Sequence, residues 1–207
     1  MLNKIRDYLD FAGLQYRNPD KAGEEREKML ELRHKGQEAR KAFTELAKSF
    51  QASHPEWQLQ QTSQWMNQAQ RLRPHFWVYL QSEGKVTEPM MALRLYGAPT
   101  DFGVSLEVSF IERKKDEQTL DKQAKVLELP AVEGIYYLVY SNGESYKMEA
   151  NEENRRTLRE KLRSQEVRKV LVKADVSFIE NQSVEAILEK LEDAYTRLLP
   201  YYEVTRG

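Results

Sequence analysis

The 207-residue sequence contains no cysteine and only three histidines. The lack of cysteine excludes a disulfide scaffold, thiolate metal ligands and a cysteine nucleophile. The histidines, His34, His54 and His75, do not have the spacing of a zinc-binding pair. The sequence therefore predicts no metal site built from cysteine or from paired histidines.

Glycine motifs that bind phosphate groups are missing as well. The chain contains neither G-x-G-x-x-G nor G-x-x-x-x-G-K-[ST], so no dinucleotide site and no P-loop is predicted. It also has no G-x-S-x-G nucleophile elbow. These absences predict a protein without a cofactor and favour a binding role over an enzymatic one.

Charge is balanced and long apolar runs are absent. The 32 lysines and arginines nearly cancel 33 aspartates and glutamates, so any nucleic acid must be bound by a local patch. No apolar run approaches the length needed to cross a bilayer. The first residues, MLNKIRDYLD, include acids where a secretory signal has its apolar core. We expect a soluble cytoplasmic protein that does not bind membranes.

Apolar residues in the first quarter of the chain recur at helical spacing. Following a short helix near the N-terminus, they predict a long amphipathic helix over residues 20–52. The residues of its apolar seam are Met29, Leu32, Gly36, Ala39, Phe43, Leu46 and Phe50. A seam of this kind packs either inside the chain or against another protomer. One functional hypothesis is therefore protein interaction or homo-oligomerisation through residues 20–52.

The middle of the chain is rich in strand-forming segments. Ser141, Asn142 and Gly143 predict a hairpin turn between the last two, and "EQTLDKQAKVLEL" predicts a short helix. The predicted strands are "PHFWVYLQ", "MMALRLYG", "GVSLEVSFIERK", "GIYYLVYS" and "ESYKME".

The last third returns to helices around one strand. Asn151 caps a basic helix through Arg163, "VRKVLVK" is a strand, and Ser183 caps an apolar-striped helix that Pro200 ends. Clustered strands with flanking helices predict an α+β fold, a mainly antiparallel sheet with helices on one face. We expect one domain over 1–207, with a helical segment (1–54), a mainly β segment (55–150) and a helix-strand-helix segment (151–207).

Strand alternation assigns side chains to the two faces of this sheet. Phe76, Val78 and Leu80 are expected to face the helices, and the polar and aromatic residues between them to face away. The predicted ligand-binding residues on that second face are His75, Trp77, Tyr79, Arg94 and Tyr96.

Interleaved aromatic and arginine side chains can stack bases and bind phosphates. Arg71 and Arg73, just upstream, can add phosphate contacts. The first hypothesis is therefore a non-enzymatic module that binds DNA or RNA. In the alternative interpretation helices cover this face too, and its aromatic residues are core.

The basic run from Arg155 to Lys173 is the strongest positive cluster in the sequence. Arg155, Arg159 and Arg163 lie at steps of four on one helix face, a spacing that can follow a phosphate backbone. Glutamates at neighbouring positions allow the alternative of a salt-bridged, solvated helix.

The stretch "GAPTDFGVSLEVSFIERKKDE" has the residue types of a PD-(D/E)xK nuclease. If Glu112 and Lys114 lie on one strand, they project from the same face, and Asp101 supplies a second carboxylate for Mg²⁺. A Mg²⁺-dependent nuclease with these three catalytic residues is the second hypothesis. The alternative is an ordinary hairpin with charged ends.

The order of elements over residues 57–140 resembles the N-terminal DNA-binding domain of McrB, the modified-cytosine restriction subunit. The similar parts are the polar stretch from Leu59 to Met66, the strand "RPHFWVYL" and the later strand "GIYYLVY". The resemblance implies DNA binding but transfers no site residues, because "NQAQRLR" replaces the glycine-rich turn of such domains. The chain is also similar in character to bacterial cytoplasmic proteins of no assigned activity.

Overall fold

The computed structural model describes residues 1–82 and 84–206. Its helices are α1 (Leu2–Leu9), α2 (Arg26–Ala52), α3 (Thr119–Ala124), α4 (Glu152–Arg163) and α5 (Val184–Thr205). Its strands are β1 (Gln58–Leu59), β2 (Trp77–Gln81), β3 (Met90–Ala98), β4 (Asp101–Ser109), β5 (Tyr136–Ser141), β6 (Glu144–Glu149) and β7 (Lys169–Ser177). The predicted α+β class, with long N- and C-terminal helices, is confirmed.

The strands form one sheet in the order β1-β2-β3-β4-β7-β5-β6, and every neighbouring pair is antiparallel. The late strand β7 lies between the β3–β4 and β5–β6 hairpins, so it joins them into a continuous surface. Asn142 and Gly143 both have positive φ, which confirms the turn predicted between β5 and β6.

The apolar core lies between one face of the sheet and the helices. Tyr8 of α1 stacks on Phe76 with ring centroids 5.1 Å apart, and Phe43 of α2 lies 5.9 Å from the same ring. Every residue of the predicted α2 seam is buried within the chain. Because that seam is used internally, the feature that suggested oligomerisation through residues 20–52 is already satisfied by intrachain packing. No helix in the described ranges has the length and hydropathy of a membrane span.

Helix α5 does not end at Pro200, as its sequence predicted, but continues to Thr205. A proline inside a helix removes one hydrogen bond and costs roughly 3 kcal/mol. Packing of the last turn offsets this cost, because Tyr201 and Tyr202 are buried and the Tyr201 hydroxyl donates to the Pro130 carbonyl at 2.6 Å.

Two other predicted boundaries were wrong. Helix α2 begins at Arg26, not near residue 20, because two short 3-10 turns, Pro19–Lys21 and Gly23–Glu25, precede it. Strand β4 ends at Ser109, and Glu112–Lys114 forms a 3-10 turn where a continued strand was expected. Glu112 in this turn contacts the side chains of Arg168 and Lys169 at the start of β7.

Gly36 is the point at which α2 passes closest to the Trp65 ring. A Cβ on residue 36 would lie 2.5 Å from Cε3 of Trp65. That ring is held in place, since the Tyr8 hydroxyl donates to the Trp65 carbonyl at 2.6 Å and Tyr16 packs edge-on at 5.0 Å.

We expect Gly36→Ala to lower the free energy of unfolding by about 1–2 kcal/mol, because overpacking outweighs the higher helix propensity of alanine. Urea denaturation measures the change. Gln37→Ala, at the exposed neighbouring position, is the matched control and should stay within about 0.5 kcal/mol of the parent protein. A more stable Gly36→Ala variant would contradict the proposed contact.

Candidate nucleic-acid interface

The sheet face that points away from the shared apolar core carries aromatic and charged side chains. We call it the open face. Its larger side chains are Trp77, Tyr79, Arg94, Tyr96, Glu107, Tyr136, Tyr140, Lys169 and Lys173. The aromatic residues of this set are neither fully buried nor fully exposed. These aromatic residues are therefore not part of a fully buried second core.

A buried ion cluster lies beneath the centre of the open face. The Glu107 carboxylate is 0% exposed and accepts from Arg94 Nη2 at 3.1 Å and from Lys173 Nζ at 2.9 Å. Register explains the contact, since Glu107 of β4 pairs directly with Lys173 of β7. Burial opposes ionisation, but the two cations outweigh it and lower the pKa of Glu107 to about 2. One negative charge thus meets two positive charges, which leaves a net positive centre.

Trp77 lies within a group of cations at one end of this cluster. The guanidinium carbon of Arg73 is 4.7 Å from the Trp77 ring centroid, and that of Arg94 is 5.3 Å away. The His75 ring packs 5.7 Å from the same indole. Burial, followed by the charges of Arg94, Arg73 and Lys173, lowers the pKa of His75 to about 4. His75 is therefore neutral near pH 7, mainly because burial disfavours its charged form and in part because cations lie nearby.

A cleft of about 630 Å³ opens over Trp77, Tyr79 and Arg94. One wall is the loop 67–69 with Arg73, and the other is the turn 111–113. The volume falls within the usual range of small-ligand sites, roughly 300–1,000 Å³. Three arginines and one glutamate line the cleft, so its charge is positive although the whole chain carries −1. The arrangement can bind a planar group on its floor and anionic oxygens at its walls.

The structure brings some of the predicted ligand-binding residues together and separates others. Trp77, Tyr79 and Arg94 meet in the cleft, and His75 packs beside Trp77. Tyr96 shares the face but lies outside the cleft lining, with its hydroxyl 3.1 Å from Ser177 Oγ.

Sequence reasoning did not find the contribution of the two later strands. Lys173 of β7 and Tyr136 of β5 are directly paired, and the Lys173 Nζ lies 6.0 Å from the Tyr136 ring. Alternation within "VRKVLVK" and "GIYYLVY" places these residues on one face of each strand. It does not show that β7 lies next to β4, which is what brings them to the open face. Arg113 was not among the predicted ligand-binding residues, although alternation along the predicted strand places it on the same face as Glu107.

The nuclease residues do not assemble. Asp101 begins β4 and Glu112 follows its far end, so at about 3.3 Å per residue roughly 30 Å separates them. Glu112 and Lys114 are not on a strand, and the Glu112 carboxylate is bound by Arg168 and Lys169. Among the residues that the structure describes, no group of three or more acids or histidines could hold a metal ion.

The predicted phosphate-binding helix lies in the other layer of the fold. Leu158 of α4 is buried in the core on the helix side of the sheet. Arg155 pairs with Glu152 at 2.7 Å and donates to the Leu127 carbonyl at 2.9 Å. It therefore connects α4 to the segment that follows α3. Arg159 and Arg163 line a surface groove along α4, and Glu152, Glu153 and Glu160 line the same groove. These arginines are not part of the open face.

Comparisons with known proteins do not point to a function. No family model matches the chain, and no curated protein sequence is significantly similar to it. The geometry and charge of the open face are the features that indicate a function.

Proposed function

We propose that the protein binds single-stranded nucleic acid on the open face, with the cleft as the principal contact. The observation that carries the proposal is the position of Trp77 and Tyr79 among Arg73, Arg94 and Arg113. A ligand that matches this site combines planar rings with closely spaced negative charges. DNA binding is also what the resemblance of residues 57–140 to the McrB domain implied.

Single strands suit this site better than duplexes. Bases in a duplex are stacked on one another, so aromatic side chains reach them only when they are unpaired. Stacking of one base on an aromatic ring contributes roughly 1–3 kcal/mol. Arginine adds bidentate donors for phosphate oxygens and retains its charge at any physiological pH. The Trp77 and Arg113 side chains offer both kinds of contact within one cleft.

The charge distribution makes the expected affinity sensitive to salt. The positive potential comes from a few side chains around the cleft, while the chain as a whole is nearly neutral. Phosphate contacts release condensed counterions, and for single strands each contact changes the slope of log affinity against log salt by about 0.7. We expect a slope that corresponds to two or three such contacts, one for each cleft arginine that binds a phosphate.

We expect Trp77→Ala to weaken binding of a fluorescein-labelled oligothymidylate by roughly 5- to 150-fold, because it removes one stacking surface. Fluorescence anisotropy at low salt measures the affinity. The matched control is Tyr146→Ala, which truncates a 40% exposed aromatic residue of β6 that does not belong to the open face. Thermal unfolding of each variant shows whether the fold is retained.

Two arginine variants show which layer binds the strand. Arg113→Gln in the cleft should reduce the salt slope by about 0.7, whereas Arg159→Gln on α4 should leave it unchanged. The proposal fails if Trp77→Ala folds and binds like the parent protein. Weakening by Arg159→Gln alone would move the interface to α4.

A further inference from the structure

We infer that Arg168 and Lys169 form a second phosphate site on the open face, and that the carboxylate of Glu112 occupies this site in the free protein. The inference rests on the proposed function, since it assigns a further contact and a regulating residue to the same interface. Glu112 would then act as an internal stand-in for a phosphate group.

The first support is the geometry of Glu112. Its Oε2 accepts from Lys169 Nζ at 2.7 Å, and its Oε1 accepts from Arg168 Nη2. Burial alone would raise the pKa of Glu112, but the bonds from Arg168 and Lys169 lower it overall, so the carboxylate is charged. Two cations from adjacent positions therefore bind one anion. The two free oxygens of a phosphodiester can accept hydrogen bonds from the same two cations.

The second support is that Lys169 is held in place on the open face. It lies opposite Tyr140 in the β7–β5 pairing, and its Nζ is 4.1 Å from the Tyr140 ring centroid. The same Nζ is 4.9 Å from the Phe110 ring, and the side chain is only 11% exposed. Packing against two rings fixes the position of the ammonium group. It therefore stays in place to bind another anion when Glu112 is displaced.

The third support is the position of Glu112 between two sets of cations. It lines the cleft next to Arg113, and on its other side it contacts Arg168 and Lys169. A strand bound in the cleft would bring phosphates close to this carboxylate and repel it. The Glu112 and Arg168 side chains are 41% and 47% exposed, and ion pairs this exposed contribute little to stability. Phosphates can therefore displace Glu112 at small cost to the fold.

We expect Glu112→Gln to bind the labelled oligothymidylate roughly tenfold more tightly, because the competing charged acceptor is removed. The matched control is Glu117→Gln, which makes the same charge change at an exposed position of the same segment. Compared at about 0.1 M salt, it should bind within about twofold of the parent protein, since charges exposed to solvent are then screened over about 10 Å.

A double-mutant cycle separates direct occupancy from general repulsion. Arg168→Gln should cost little in the parent protein, where Glu112 already holds that guanidinium, but should remove most of the gain in the Glu112→Gln background. Equal costs in both backgrounds would overturn the inference, and so would equal affinities of Glu112→Gln and Glu117→Gln. In those cases, binding that Trp77→Ala weakens as expected would leave the proposed function standing. Absence of salt-dependent binding by the parent protein would overturn both.

Discussion

Replacing Glu107 with glutamine is expected to lower the free energy of unfolding by about 3–5 kcal/mol. The side chain is fully buried, and its removal leaves Lys173, itself 5% exposed, without a counter-charge. Glutamine keeps the shape of glutamate and can accept a hydrogen bond, so the loss comes from the charge. Urea denaturation followed by tryptophan fluorescence measures it.

Glu112→Gln is the matched control for this prediction, because it neutralises a glutamate that also binds two cations but is 41% exposed. Its expected cost is below about 1 kcal/mol. The double variant Glu107→Gln with Lys173→Met should recover part of the loss, since it also removes the uncompensated cation. If Glu107→Gln costs no more than the control, the buried cluster does not stabilise the fold.

The same carboxylate links stability to acid. The pKa of Glu107 is about 2 in the fold, against 4.5 for an unperturbed glutamate. Because the folded pKa is depressed, the stabilisation is complete above pH 4.5 and is lost as the pH falls from there towards 2. Glu107→Gln should therefore remove part of the acid sensitivity in this lower window.

The titration of His75 acts in a higher pH window. We expect it to lower the free energy of unfolding by about 2–3 kcal/mol as the pH falls from about 7 to about 4.5. Its pKa is about 4 in the fold and 6.5 without perturbation. Between these values the unfolded chain binds the proton and the folded chain does not, so stability falls as the pH falls. The causes are burial, then the positive charges of Arg94, Arg73 and Lys173, which the negative charge of Glu107 only partly offsets.

The measurement is urea denaturation at about pH 7 and about pH 4.5, the upper edge of the window in which Glu107 titrates. His75→Gln should flatten the pH dependence, because glutamine does not titrate. His34→Gln, on the exposed side of α2, is the control and should leave the dependence unchanged. An equal fall in stability for His75→Gln and the parent protein would show that His75 does not occupy a positive, buried environment.

The face assignments could be predicted because they depend on a local period. In β2 and β3 successive side chains alternate, so Trp77, Tyr79 and Arg94 share a face wherever the strands begin and end. The α2 seam was predictable for the same reason, since its apolar residues recur once per helical turn. These patterns also predicted the α+β class.

Element ends were less predictable, because packing decided them. Pro200 is a helix terminator by its local chemistry, yet two buried tyrosines beyond it keep the last turn of α5 in place. The segment after Ser109 has the composition of a continuing strand. It instead leaves the sheet in a 3-10 turn, where Glu112 contacts Arg168 and Lys169, more than fifty residues later in the chain.

By itself the sequence determined the types of elements and the face on which each side chain lies. Only the tertiary structure decided which faces became neighbours. Insertion of β7 between β4 and β5 places Lys173 beside Glu107, and the turn 111–113 completes the cleft over Trp77. The physical reason is that strand pairing joins segments far apart in the chain according to how well their side chains pack and pair. No local period encodes that choice.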